Sequence, residues 1–133
     1  MMHDNWEKTM REGSKPQHIK DRTFDFAVDI IGFCQKLDVQ GGVNRTIGRQ
    51  LWGCGTSIGA NIEEAQAGQS SADFISKCSI ALKEARETIY WLRLIRASGE
   101  SPNDVDGLLK EADEVSRIIG SIIVSTRNGK KHR

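Results

Sequence analysis

The chain has 133 residues, 38% of them apolar, with 19 lysines and arginines against 18 acids for a formal net charge of +1. That length gives a single domain, and the near-neutral balance supplies no global field for nucleic acid or membrane, so either partner must rest on local clustering. No stretch approaches the roughly 20 apolar residues of a membrane span, and the polar start, Met1 to His18, has no apolar signal core.

Residues 1–20 lack sustained periodicity, contain Gly13, Ser14 and Pro16, and read as a mobile tail in which Trp6 is the one large apolar ring. From about Asp21 the residues Phe24, Ala27, Val28, Ile31, Cys34 and Leu37 recur at spacings of three and four, which predicts a helix with those side chains on its core face. Gly41-Gly42 stops it. A second helix is predicted from about Asn44, a possible cap, to about Ala67, with Ile47, Leu51, Cys54, Ile58, Ile62 and Ala65 inward and Gly68 at its C-terminal stop.

The third helix has the clearest start. Ser70 with Asp73 three residues on approximates a capping box, and the stripe Phe74, Cys78, Ala81, Leu82, Ala85, Ile89, Leu92, Ile95 runs to a stop near Ser98-Gly99. Ser101 as N-cap with Pro102 in the first helical position predicts where the fourth helix begins. That helix carries Val105, Leu108, Leu109, Ala112, Val115, Ile118, Ile119, Ile122 and Ile123 and frays near Arg127, which leaves residues 128–133 as a basic tail. Short turns between long helices favour antiparallel neighbours, so the expected fold is all-α: an up-down-up-down four-helix bundle over residues 21–127. Helices of this length expose much surface for the core they enclose, which favours assembly into an oligomer.

Several residues do not fit a plain bundle. Glycine costs about 1 kcal/mol in a helix interior relative to alanine, yet the second helix carries Gly48, Gly53, Gly55 and Gly59. Gly55 and Gly59 share a face one turn apart and would admit a partner backbone at close range, by analogy with small-residue contacts in membranes. Gln50, Ser57, Asn61 and Glu64 line a polar stripe beside the apolar one, from which Asn61 could fix register between helices or subunits. Tyr90, Trp91 and Leu92 are successive and span roughly 200° of helix circumference. One core cannot take all three, and the last helix is likewise apolar over a wide arc at Ile118-Ile119 and Ile122-Ile123-Val124, so a subunit interface is expected there.

Catalytic constellations are missing from the pattern. Glu63, Glu64, Glu84 and Glu87 suggest a carboxylate metal site, but that architecture uses Glu-x-x-His pairs, and His3, His18 and His132 all lie outside the predicted helices. The same three histidines cannot complete a Ser-His-Asp set. Cys34, Cys54 and Cys78 lack CxxC spacing, fall on apolar stripes, and read as buried free thiols in a reducing cytosol. Arg86, Arg93 and Arg96 cluster late in the third helix, and Arg127, Lys130, Lys131 and Arg133 gather at the C-terminus. Repeated around a ring of subunits, such clusters would add into a field that the net charge conceals.

The run from Leu51 to Glu64, with its core Thr56-Ser-Ile-Gly-Ala-Asn-Ile-Glu-Glu64, resembles a small family of four-helix bundle proteins, the 23S rRNA intervening-sequence proteins. Asp73-Phe-Ile-Ser-Lys77 and Ala81-Leu-Lys-Glu-Ala-Arg-Glu-Thr-Ile-Tyr-Trp-Leu92 resemble it too, and the similarity spans about Phe24 to Ser125. The resemblance implies an antiparallel bundle assembling as a homopentamer, with no established enzyme activity. Arg117-Ile-Ile-Gly-Ser-Ile-Ile-Val-Ser-Thr-Arg127 is also similar to the ending of the accessory variability proteins of diversity-generating retroelements, basic pentameric barrels that bind nucleic acid and a reverse transcriptase. The near-neutral charge of this chain departs from theirs.

These readings predict a cytoplasmic, non-catalytic, ring-like homo-oligomeric scaffold without cofactor or metal, whose partners are copies of itself and, as a candidate, RNA or DNA. The expected subunit interface is Gly55, Gly59, Asn61, Tyr90, Trp91, Ile119 and Ile123; the candidate nucleic-acid contacts are Arg86, Arg93, Arg96, Arg127, Lys130, Lys131 and Arg133. The alternatives are a protein–protein adaptor, for example to a reverse transcriptase or another nucleic-acid enzyme, and an RNA-processing enzyme.

Overall fold

The structure, a computed structural model, describes residues 18–99 and 101–129. These form four helices, α1 (Ile19–Gln40), α2 (Gly42–Gln66), α3 (Ser71–Ala97) and α4 (Val105–Arg127), with no strand among the described residues. The proposed tail lies outside them as far as residue 17, and α1 starts two residues before the expected Asp21. His18 supplies the reason: its Nδ1 accepts from the Lys20 backbone N–H at 3.0 Å, which meets one of the orphan donors of the first turn.

A single glycine joins α1 to α2. Gly41, at φ 73°, donates to the carbonyls of Leu37 and Asp38, while its own carbonyl accepts from Arg45 N–H at 3.2 Å. A left-handed backbone there suits glycine. Asn44, the expected cap, instead sits inside α2, buried, with its amide donating to Gln40 Oε1. Ser70 caps α3 as expected, accepting from Asp73 N–H at 3.1 Å. The start of α4 does not follow Ser101-Pro102. The helix begins at Val105, because Pro102 carbonyl first closes a turn onto Val105 N–H at 3.3 Å. Asp104 then stands at the N-cap but makes no capping bond; its Oδ2 accepts from Lys36 Nζ on α1 at 3.1 Å.

Each helix packs on its neighbours in the cycle α1–α2–α3–α4–α1, with α1–α4 the thinnest contact. The core runs through Phe26, Ile30, Phe33 and Leu37 of α1, Leu51, Ile58 and Ile62 of α2, Ala81, Ala85 and Leu92 of α3, and Ala112, Val115 and Ile119 of α4. The expected inner stripes of α2, α3 and α4 are those observed. That of α1 is corrected: the buried series is Ile19, Thr23, Phe26, Ile30, Phe33 and Leu37, and Phe24 is 57% exposed. Thr23 can occupy the core because its hydroxyl donates to Lys20 carbonyl at 3.1 Å and so is not left unsatisfied.

Where α1 meets α4, Arg22 donates from Nε and Nη2 to the two oxygens of Glu111 at 2.7 and 2.8 Å and also pairs with Glu114. Glu111 is buried and Arg22 nearly so. The hydrogen bond to Glu111 raises the Arg22 pKa, partly opposed by burial. This fork is the polar clasp of the bundle's thinnest seam.

Candidate nucleic-acid interface and surface groove

Helix α3 turns Arg86, Tyr90 and Arg93 to the solvent at i, i+4 and i+7, a single stripe on a helix of 3.6 residues per turn. Lys83 extends it by one turn. Tyr90 is 52% exposed, and its ring meets Trp91 edge-on, centroids 5.2 Å apart. Trp91 is itself fixed by its indole N–H, which donates to Glu87 Oε2 at 3.3 Å. Among the described residues, Lys83, Arg86 and Arg93 form no ion pair, so these cations and the phenol ring present an open face. Beside it on the same helix, Ile80, Trp91 and Leu94 form an apolar flank that the bundle core leaves partly uncovered.

Of the other expected basic residues, the two that the structure describes, Arg96 and Arg127, lie off this stripe. Arg96 is held by Asp106 at 3.2 Å. That contact sets the end of α3 beside the start of α4, and Arg127 belongs to the far end of α4, about 30 Å along that helix from Asp106 at 1.5 Å per residue. Lys130, Lys131 and Arg133 lie outside the described residues. Sequence reasoning placed Tyr90 in a subunit interface and passed over Lys83; the spacing 83-86-90-93 was the available signal.

Of the residues expected at a subunit interface, Gly55 and Gly59 face inward. A methyl on Gly55 would meet Ile30 Cγ2 at 2.8 Å, and one on Gly59 the backbone oxygen of Thr23 at 3.2 Å. The close approach is real, but its partner is α1 of the same chain, which leaves no space there for a second subunit. Ile119 and Ile123 are buried in the core. Asn61 is half-buried, and its amide donates to Ser57 carbonyl one turn back at 2.9 Å. Of that set Tyr90 is exposed, and Asn61 and Trp91 are partly so.

A second feature was not expected. Ile31, Cys34, Gln35 and Asp38 on α1 face Arg45, Gly48, Arg49 and Trp52 on α2 across a groove of about 370 Å³. Both sets run i, i+3, i+4, i+7, so two matched stripes form its walls. Trp52 is 56% exposed and Ile31 40%.

Burial disfavours the thiolate form of all three cysteines. Burial pushes the Cys34 thiol up to about 12, assisted by Cys54, and pushes Cys54 and Cys78 up to about 11; a contact with Thr88 opposes the shift at Cys54, and Glu87 and Glu84 add to it. All three are thiols at neutral pH. Among the described residues no three His, Cys, Asp or Glu side chains converge on a metal-sized site, and no helix is long and apolar enough to cross a membrane. His18 is spent on its cap, and His3 and His132 lie outside the described residues.

The chain matches the model of the 23S rRNA-intervening sequence protein family over residues 15–121. It is similar to a crystal structure of a protein of unknown function from the S23 ribosomal protein family of Bacteroides thetaiotaomicron VPI-5482: 40% identity, a TM-score of 0.71, and coverage of 80% of this chain and 98% of that one. No curated protein matches it.

Proposed function

The chain belongs to the 23S rRNA-intervening sequence protein family, and from that premise we propose that it is a non-catalytic scaffold: an antiparallel bundle assembled into a ring-like homopentamer that holds nucleic acid on the outer face of α3. The register of α1 and α2 supports the antiparallel order, since Gly48, Gly55 and Gly59 stand against Leu37, Ile30 and Thr23 in turn. Among the described residues, unlike apolar side chains stay wholly or partly exposed on different helices, Phe24 on α1 and the Ile80–Trp91–Leu94 flank on α3 among them. A head-to-tail contact between unlike patches closes into a ring when its rotation divides the full turn, whereas a two-fold dimer buries the same patch twice. The number five comes from the family resemblance.

The observation that carries nucleic-acid binding is the exposed stripe Arg86–Tyr90–Arg93, whose arginines form no ion pair among the described residues. Guanidinium groups serve phosphates, and a half-exposed ring between them offers a stacking platform for bases. One copy is a small patch; five around a ring make a field strong enough to act at a distance. The protein works in the cytoplasm in this reading. Light scattering coupled to size exclusion tests the assembly: a mass five times the 14.8 kDa chain is expected, and a monomer mass at micromolar concentration overturns it.

A further inference from the structure

The α1–α2 groove lies away from the α3 face, and we propose that it binds a nucleoside 5′-phosphate, with the base on Trp52 and the phosphate on Arg49. Its floor is uncharged and closed: Cys34 Sγ donates to Gly48 carbonyl at 3.3 Å, and Gly48 brings no side chain into the space. One end is shut by Arg45, whose Nε meets Asp38 Oδ1 at 3.2 Å and whose Nη2 donates to Asp38 carbonyl at 3.1 Å. That guanidinium is spent on the pair. Arg49 is not: it is exposed and forms no ion pair among the described residues, so the groove keeps one free positive charge.

Trp52 follows Arg49 by three residues on the same helix face, so their Cβ atoms stand about 5–6 Å apart. Ile31 lines the same groove from α1. The result is a slot with a broad aromatic wall, an aliphatic wall and a cation at one side, which matches a flat ring carrying an anion. Gln35 adds an amide at the rim, able to donate to and accept from a base edge. A volume of about 370 Å³ is near the lower end for small-ligand sites, enough for one nucleotide and too little for a docked helix. The same chemistry is offered by a free mononucleotide and by the 5′-phosphorylated end of a strand.

Isothermal titration of the full chain distinguishes these. Saturable binding of AMP is expected, with adenosine and inorganic phosphate each at least tenfold weaker. Trp52→Ala and Arg49→Glu should each lose at least tenfold, while Arg86→Glu, on the α3 face, changes nothing; the groove can therefore fail without the α3 reading failing, and the reverse. A 5′-phosphorylated tetranucleotide that binds more tightly than AMP with the same variant dependence supports the strand end; equal affinity supports the free nucleotide. No binding of AMP at millimolar concentration, or full binding by Trp52→Ala, overturns the proposal. So does a Trp52→Ala oligomer of reduced mass beside an AMP-silent wild type, which would make the groove a subunit contact.

Discussion

Gly55 on α2 and Ile30 on α1 are packed so closely that a methyl added to the glycine would stand 2.8 Å from Ile30 Cγ2. Gly59 makes a similar approach to the backbone of Thr23, a neighbour with no rotamer to change. Gly53, on the same helix, has nothing within 4 Å of an added Cβ. The intrinsic gain of alanine over glycine in a helix, about 1 kcal/mol, is therefore expressed at Gly53 and overridden at the other two. Gly53→Ala should stabilise by about 0.5–1 kcal/mol, and Gly55→Ala and Gly59→Ala should destabilise by about 1–3 kcal/mol through overpacking. Chemical denaturation at one fixed protein concentration measures all three. Equal melting of all four proteins would show that α1 and α2 are not in close contact.

The Arg22–Glu111 fork gives a prediction of opposite character. Its carboxylate is buried, so removing only the guanidinium strands a charge. Arg22→Met should cost about 3–5 kcal/mol, whereas the double replacement Arg22→Met/Glu111→Met should recover most of that loss. Arg22→Lys should recover little, because an ammonium cannot occupy both carboxylate oxygens in one plane. A double-mutant cycle by urea denaturation checks this; additive single effects would show that the two side chains do not interact.

Two buried thiols, Cys54 and Cys78, and the partly buried Cys34 make stability sensitive to alkali. Their folded pKa values, about 12 for Cys34 and about 11 for Cys54 and Cys78, lie above the ordinary 9.0. Above pH 9 the unfolded chain releases protons that the folded chain retains. The contribution is thus complete below pH 9 and is lost as pH rises toward 11–12. Melting temperature should decline through that window, and replacing the three cysteines by alanine should flatten the decline. In the native state at pH 8 the thiols should resist a disulfide reagent and react only after denaturation.

Most of the architecture was legible because α2, α3 and α4 each carry a single apolar stripe. Helix α1 carries two. Phe24, Val28 and Ile31 repeat as well as Phe26, Ile30 and Phe33 do, and periodicity alone cannot rank them. The deciding residue is Thr23, whose polarity hides its burial until the hydroxyl is seen to be satisfied by Lys20 carbonyl. Gly55 and Gly59 announced a close contact, but spacing does not say whether the partner is α1 or another chain. Tyr90 was visible as a surplus aromatic; its place between two arginines that form no ion pair among the described residues became clear only once Arg96 was seen to be engaged by Asp106.

The α3 face makes the last prediction. If Arg86, Tyr90 and Arg93 hold a nucleic-acid strand, binding should tolerate any sequence and fall steeply with salt, log K changing by about −0.7 to −0.9 times the number of phosphates neutralised for each unit of log salt concentration. Arg86→Glu/Arg93→Glu should abolish it, whereas Arg96→Ala, already committed to Asp106, should change it little. Tyr90→Ala should cost about 1–3 kcal/mol per stacked base on single strands and less on duplexes, whose bases are not free to stack. Because one patch is small, a variant that dissociates the oligomer should bind poorly with every arginine retained. Gel-shift titrations at several salt concentrations separate these outcomes. No binding at low salt, or binding indifferent to salt, would remove nucleic acid from the function and leave the scaffold.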